Sequence, residues 1–267
     1  MIRKAFPCLL AISLATMAVM HPSVLGAQAA APTAAAPTVD ELVEKNLQAK
    51  GGKEKLQALK GLRMTGKMAM GPGMEGSLLI ETARPDKMRS DVTIQGMTVS
   101  QAYDGKTGWK VMPFTGKTDA EPMTEEELKQ MQRQATGMDG LMGYKERGET
   151  LEYLGKADLE GTPVHKLKWT RQGGDSAVLY LDAEHFLELR ADGKALVQGQ
   201  QMESVTTFGD YKEVGGILFA HSMQLSMPGG MGGMTMTIDK IEVNPDLPAS
   251  RFAMPAKAEA KMPAPKG

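Results

Sequence analysis

Residues 62–70 read LRMTGKMAM, and apolar and polar side chains alternate along them. The first set is Leu62, Met64, Met68 and Met70, and the second is Arg63, Thr65, Lys67 and Ala69. A period of two is typical of a β-strand that turns one face to a core and the other to water. The turn sequence Gly71-Pro72-Gly73 follows and ends the predicted strand.

Further short segments of this kind predict a large antiparallel sheet. They cover residues 75–84, 86–94, 97–103, 107–112, 150–157, 163–170, 175–181, 186–191, 197–212, 217–227 and 232–243. Asp104-Gly105 is a hairpin signal between two of them. Short strands separated by turn residues are typical of a meander. Because a large open sheet exposes long unpaired edges, we expect this one to curve strongly or to close.

Helices are predicted before the sheet and in its middle. Thr38-x-x-Glu41 is a capping box that begins a helix, and Gly51 ends it. A second short helix covers residues 53–60. Thr124-x-x-Glu127 begins a helix over residues 124–142, in which Gly137 weakens the second half. The apolar stripe of that helix is Leu128, Met131, Ala135, Met138 and Met142.

These patterns predict a mainly β protein of the α+β class. We expect a curved antiparallel sheet or half-open β-barrel of about 11 strands, capped by helices on its concave face. This domain is placed at residues 38–255, and a chain of 267 residues suits such a single domain. The Ala/Pro-rich residues 30–37 are interpreted as a linker, and residues 256–267 as a disordered tail.

The N-terminus has the pattern of a secretory signal peptide. Arg3 and Lys4 precede an apolar run, Cys8–Met20, that is short for a membrane span. Ala27-Gln28-Ala29 fits a cleavage site, so residues 1–29 are predicted to be removed, with cleavage after Ala27 or an uncleaved anchor as alternatives. The mature protein would be periplasmic, and it would have lost Cys8, the only cysteine.

Composition and motifs argue against several classes of function. Lys and Arg total 31 against 32 Asp and Glu, so a nucleic-acid binder is not expected. The chain has no G-x-S-x-G, H-E-x-x-H or phosphate-binding glycine motif. His165 and His221 share the parity of apolar neighbours, which favours structural histidines over ligands or acid/base groups. We therefore expect no enzyme, no resident metal and no cofactor.

Methionine is the unusual component, with 22 residues. Three interpretations remain open. Methionine can fill an ordinary core, line a site for varied apolar ligands, or bind Cu(I) through its thioether. The two clusters are Met64, Met68, Met70 and Met74, and Met223, Met227, Met231, Met234 and Met236.

Several stretches together resemble a known family. They are TVDELVEKNLQAKGGKEKLQALKGLRMTGKM (38–68), QAYDGKTGWKVMPFTGK (101–117), EPMTEEELKQ (121–130), GKADLEGTPVHKLK (155–168), YLDAEHFL (180–187), FGDYKEVGGILFAHSMQ (208–224) and IDKIEVNPDLPASRFAMP (238–255). In these stretches the chain resembles the outer-membrane lipoprotein-sorting (LolA/LolB-like) proteins. The resemblance implies a half-open barrel capped by helices, whose cavity holds the acyl chains of a lipoprotein.

A binding or carrier function for a lipid or an acylated, lipoprotein-like ligand is the first hypothesis. Its partners would be acyl chains and, in addition, envelope membrane proteins. A Met-rich copper-binding protein and a structural envelope module with a filled barrel are the alternatives. The predicted lining and lid residues are Leu42, Val43, Leu62, Met64, Met68, Ile80, Trp109, Leu128, Met131, Leu167, Trp169, Phe219, Met223 and Leu225.

Overall fold

The computed structural model describes residues 36–71, 73–197, 200–228 and 232–255. The predicted signal peptide, nearly all of the predicted linker and the predicted tail lie outside these residues. Within them, no helix combines the length and the apolar character needed to cross a bilayer. The helices are α1 (Val39–Ala49), α2 (Lys53–Gln57) and α3 (Glu125–Ala135), and short 3-10 turns cover Pro113–Thr115, Thr136–Asp139 and Ala249–Arg251.

Thirteen strands form one sheet in the described part of the chain. They are β1 (Gly61–Ala69), β2 (Glu75–Ala83), β3 (Lys87–Ile94), β4 (Met97–Tyr103), β5 (Gly108–Met112), β6 (Lys117–Pro122), β7 (Thr150–Leu159), β8 (Thr162–Thr170), β9 (Ser176–Asp182), β10 (Glu188–Val197), β11 (Gln200–Val214), β12 (Ile217–Ser226) and β13 (Gly233–Val243). Their order is β6-β5-β4-β3-β2-β1-β13-β12-β11-β10-β9-β8-β7, and each pair is antiparallel. The curved, open, mainly β fold predicted from the sequence is confirmed.

The strands differ from the prediction at two places, one in number and one in length. β6 was not predicted, because its sequence KTDAEP has no apolar alternation and ends in proline. β10 continues to Val197, beyond the predicted end at residue 191, and Asp192 and Gly193 lie inside it. Backbone pairing with β9 and β11 holds these residues in the sheet, although their side chains carry no strand pattern.

Both predicted capping boxes are present. The hydroxyl of Thr38 accepts a hydrogen bond from the backbone N–H of Glu41, and Thr124 accepts one from Glu127. The helix that begins at Thr124 ends earlier than predicted, at Ala135, and a 3-10 turn containing Gly137 follows. Glycine is a poor helix former, which explains the early end.

The pairing of β1 with β13 joins two meanders into one sheet. The register shifts between Thr65 and Gly66, which marks a β-bulge. A Cβ on Gly66 would lie 2.0 Å from the carbonyl oxygen of Thr237. Only glycine fits this position, because the two backbones approach too closely for any side chain.

One face of the sheet, called here the inner face, is covered by helices. Helix α1 is fixed at its C-terminal end, where Asn46 Nδ2 donates to the carbonyl oxygen of Phe186 at 2.7 Å and Lys50 pairs with Glu188. Gly51 has φ 120°, and a Cβ there would lie 2.2 Å from the carbonyl oxygen of Gly216. The inner face therefore holds α1 by close backbone packing as well as by apolar burial.

The opposite, outer face carries a buried ion network. The side chain of Glu81 is 1% exposed and lies between Arg63 and Arg251, at 2.8 Å from each. The hydrogen bond to Glu81 raises the pKa of Arg63. Arg251 belongs to the C-terminal segment, whose next residue, Phe252, is fully buried. The network thus fastens the end of the described chain to the outer face of β1 and β2.

His165 is buried on the inner face, and its hydrogen-bonded, structural place there agrees with the prediction. Its Nδ1 lies 2.9 Å from the hydroxyl of Tyr153, and its ring stacks on Phe186. Burial lowers the pKa of His165, and the charges of Lys156 and Lys45 lower it further. His221 is also buried, with Nδ1 3.0 Å from the carbonyl oxygen of Phe219.

Glu81→Gln should reduce the free energy of unfolding by about 3 kcal/mol, because two arginines lose the carboxylate between them. Urea denaturation measures this loss. Glu203→Gln is the matched control, since Glu203 pairs with Lys194 and both side chains are about half exposed. The control should change stability by less than about 0.5 kcal/mol. Equal effects of the two variants would contradict the assigned network.

Stability should fall as the pH is lowered through about 6.5, the ordinary pKa of histidine. The unfolded chain takes up a proton there, while folded His165, with its lowered pKa, stays neutral to lower pH. Urea denaturation of the parent and of His165→Gln at pH 7 and pH 5 measures the difference. The variant should lose less stability on acidification. The exposed His185, changed in the same way, controls for the loss of a histidine, and identical pH slopes for the parent and His165→Gln would count against this origin.

Candidate ligand-binding site on the inner face

The inner face is filled at the end of the sheet where α1 and α2 pack. Leu42 and Leu167 are fully buried, and Leu62 is 5% exposed. They belong to one large apolar cluster that also contains residues of the segment after α3, including Leu141 and Tyr144. At this level, called here the base, the chain's own side chains occupy the interior of the curved sheet.

Helix α3 crosses the inner face away from this cluster. Met131 and Ala135 pack on Met88 and Tyr103, which start β3 and end β4. Near the helix C-terminus, Arg133 forms an ion pair at 3.2 Å with Asp175, just before β9. The helix therefore contacts two distant parts of the sheet, and its role as a lid stays a prediction.

The opposite end of the inner face, called here the rim, is less covered. It is the end at which Ala69, Ser226, Gly233 and Thr170 lie. Apolar side chains on β1, β12 and β13 remain partly exposed there: Met68, Met223, Leu225, Met234 and Met236. We call these five residues the rim patch. Four of them are methionines, whose thioether side chains adapt readily to different apolar shapes.

Methionines of the rim patch stand in register across three strands. Met236 on β13 lies opposite Met68 on β1 and opposite Met223 on β12. Directly paired residues on one face of a sheet have their Cβ atoms about 5 Å apart. Leu225 and Met234 form the next pair toward the rim. Met68 of the first sequence cluster and Met223 and Met236 of the second are therefore neighbours in space, whereas Met231 lies outside the described residues.

The predicted lining residues are distributed over several environments. Leu42, Val43, Leu62, Leu167 and Trp169 lie in the large apolar cluster, in which Trp169 stands near the rim end of β8, and Met64, Met68, Ile80, Phe219 and Met223 pack against it while partly buried. Leu128 and Met131 belong to the small cluster under α3. Leu225 is partly exposed at the rim. A role in ligand binding stays a prediction for all of them.

Trp109 was placed wrongly by the sequence pattern. It pairs with Ala102 on the outer face, and its Nε1 donates to the carbonyl oxygen of Phe252 at 2.8 Å. An apolar residue predicts that one face of its strand is covered, but not which face. The C-terminal segment covers the outer face here, so Trp109 is buried without approaching the inner face.

Two cavities lie away from the rim patch. One of about 440 Å³ is on the outer face and is lined by Arg89, Ser100, Trp109, Val111, Ser250, Ala253, Met254 and Pro255. The other, of about 200 Å³, lies between α3 and β4–β5 and is lined by Gln101, Lys110, Met112, Met123, Glu127, Gln130, Met131 and Gln134. Within the described residues, no group of three or more His, Cys, Asp or Glu side chains is arranged to hold a metal ion.

Sequence analysis missed one charged residue, Arg171. Its guanidinium lies over the ring of Trp169, 4.4 Å from the centroid. Burial lowers the pKa of this guanidinium. The signal in the sequence is its parity, since Arg171 continues the inner-face series of Leu167 and Trp169. However, Arg171 also lies two residues before the turn sequence Gly173-Gly174, and this position is typical of a solvated residue at the end of a strand.

Comparisons with known proteins agree on the fold. The sequence matches no family model and no curated protein. It is similar in structure to a DUF1329 family protein from Desulfovibrio piger (TM-score 0.58, 11% identity, 82% of this chain and 98% of that one). A LolA superfamily protein from Nitrosomonas europaea is also similar (TM-score 0.55, 12% identity, 82% and 98%).

A third similar structure is a domain from Vibrio parahaemolyticus that carries the provisional description of an outer membrane lipoprotein-sorting protein (TM-score 0.52, 12% identity, 79% and 97%). Each match covers nearly the whole of the other chain. Sequence identities of 11% and 12% show a shared fold and nothing more. The chain therefore has the LolA-like fold that its sequence resemblance implied.

Proposed function

We propose that this protein is a non-enzymatic, periplasmic binding or carrier protein for a lipid or an acylated ligand, and that the acyl part lies on the rim patch. The main support for this proposal is the difference in burial of apolar side chains between the two ends of the inner face. Toward the base, side chains such as Leu42, Leu62 and Leu167 are buried, whereas the five side chains of the rim patch are partly exposed. A partly exposed apolar surface inside a curved sheet is suited to an apolar guest.

The chemistry of an acyl chain suits this surface. Each buried methylene contributes about 0.8 kcal/mol, so ten of them supply roughly 8 kcal/mol before the cost of association. That gain needs no directional contact, which agrees with a patch made of Met and Leu. Likeness in fold to a lipoprotein-sorting domain supports the same class of ligand.

The proposed location depends on the N-terminal sequence pattern, and the proposed partners depend on the carrier role. The signal peptide proposed for residues 1–29 would deliver the protein to the periplasm. A carrier there receives its ligand from one envelope component and gives it to another, so envelope membrane proteins are the proposed partners. Helix α3 would act as the movable lid, since it packs on β3 and β4 through a small cluster and reaches the start of β9 through the ion pair of Arg133 with Asp175.

Leu225→Asp should abolish uptake of acylated ligands, because a carboxylate at the rim patch would have to be desolvated by the guest. Native mass spectrometry of the mature protein with phospholipid and with an acylated peptide measures uptake directly. Leu154→Asp is the matched control, since Leu154 is 42% exposed on the edge strand β7. Full binding by Leu225→Asp would show that the rim patch is not the site. No binding by the parent would favour a structural module with a filled barrel.

Copper binding is the second candidate, and the register of the methionines favours it. Met68, Met236 and Met223 occupy adjacent strands on one face, so their three thioethers can converge above Met236. Thioether sulfur is a soft donor that selects Cu(I). The same three side chains would otherwise contact the acyl chain, so the two candidates compete for one surface.

Cu(I) should bind with submicromolar affinity if this second candidate is correct, and Met236→Leu should remove that affinity while preserving side-chain volume. Titration under reducing conditions against a competing chelator measures it. Met97→Leu is the control, because Met97 is exposed on β4, away from the row. Micromolar or weaker binding by the parent, or an unchanged affinity in Met236→Leu, would reject the copper site.

A further inference from the structure

Arg171 lies on the inner face, with its guanidinium against the indole ring of Trp169. Among the described residues its guanidinium makes no hydrogen bond and no ion pair, although it is partly buried against Trp169. An arginine placed in this way gives up part of its hydration and gains only the contact with the indole ring. Such an uncompensated cation marks a place where an anion would be stabilised.

The neighbouring carboxylates are already in use. Glu149 forms an ion pair with Arg147 at 2.9 Å and accepts a hydrogen bond from Nε1 of Trp169 at 3.0 Å. Asp175 forms an ion pair with Arg133 at 3.2 Å. Three arginines therefore share two carboxylates, and the local net charge is about one positive unit, located on Arg171.

This cation stands at the rim end of the sheet. Arg171 follows the last residue of β8, and Asp175 receives a weak hydrogen bond from the backbone N–H of Leu196 on β10. Helix α3 also reaches this end of the sheet, because Arg133 near its C-terminus pairs with Asp175. An anion bound to Arg171 would therefore lie where the lid meets the sheet, and still beside solvent.

A track of small side chains leads from Arg171 toward the rim patch. Trp169 pairs with Ala177, which pairs with Gly193, which pairs with Ser204. The next row runs through Ala191 and Thr206 and ends at Leu225. These residues on β9–β11 have small side chains, and Ala177 and Ala191 are partly buried against the large apolar cluster.

We propose that Arg171 binds the anionic head of an acylated ligand, a phosphate or carboxylate, while the acyl chain lies across β9–β11 onto the rim patch. This inference rests on the proposed function and adds that the ligand is an anionic amphiphile. A guanidinium presents several N–H donors in one plane, and an oxyanion accepts two of them at once. The indole of Trp169 lies against the guanidinium, with its ring centroid 4.4 Å from Arg171 Cζ.

A purely structural arginine would behave differently on substitution. Removing an unpaired, partly desolvated charge relieves a desolvation cost, so Arg171→Gln should leave the melting temperature unchanged or raise it. Arg190→Gln is the matched control, because Arg190 lies on the outer face and is paired with Asp192. Arg171→Lys keeps the charge but loses the planar fork and should keep part of the binding.

The test compares 1-myristoyl-glycerol-3-phosphate with 1-monomyristoylglycerol, which share the chain and glycerol and differ only in the phosphate. Isothermal titration with the mature protein should give about tenfold or more tighter binding of the phosphorylated lipid. Arg171→Gln should remove this preference and leave the affinity for the neutral lipid unchanged. Arg190→Gln should behave as the parent.

Each other outcome has a distinct meaning. Equal affinity of the parent for the two lipids, or an undiminished preference in Arg171→Gln, would overturn the head-group assignment and leave the carrier function standing. Binding of glycerol 3-phosphate or inorganic phosphate as tight as that of the lipid would assign the site to a free anion and overturn the amphiphile. No binding of either lipid would reject the proposed function together with this inference.

Discussion

Pairing of β1 with β13 sets the geometry of the inner face. It brings residues about 170 positions apart in sequence, such as Met68 and Met236, into direct register. Without this ladder the chain would form two separate meanders, each with an open edge next to the methionines. The ladder is reinforced on the outer face, where Arg63 of β1 contacts both Glu81 of β2 and Glu242 of β13. One ladder thus unites the core, the rim patch and the ion network.

The inner face combines two requirements that conflict in most small proteins. Stability requires that apolar surface be packed, whereas binding requires that some of it be left available. The base meets the first requirement with Leu42, Leu62 and Leu167, and the rim patch meets the second. Because the two levels lie on the same strands, apolar alternation alone does not distinguish them.

Local patterns in the sequence predicted the elements that depend on local physics. The capping boxes at Thr38 and Thr124 and the alternation of β1 formed as expected, since they involve neighbours in sequence. Features that depend on distant partners were missed. Trp109 is buried by a segment about 140 residues away, and β6 is held by pairing with β5. The isolation of Arg171 arises because Arg133 and Arg147 occupy the nearby carboxylates, and no local motif reveals it.

The two edge strands of the sheet, β6 and β7, are consecutive in sequence, and the segment between them contains α3. The segment that contains α3 is therefore the covalent bridge between the two edges of the sheet. Moving α3 breaks none of the twelve strand pairings, but it disturbs the small cluster of Met131, the ion pairs of Arg133 with Asp175 and of Glu127 with Lys110, and the hydrogen bond from Gln132 to Tyr103. Local opening of such a unit costs a fraction of the global free energy of unfolding. On the proposed function, a guest would enter by such a local opening, and the amide hydrogens of the sheet would stay protected from exchange with solvent during it.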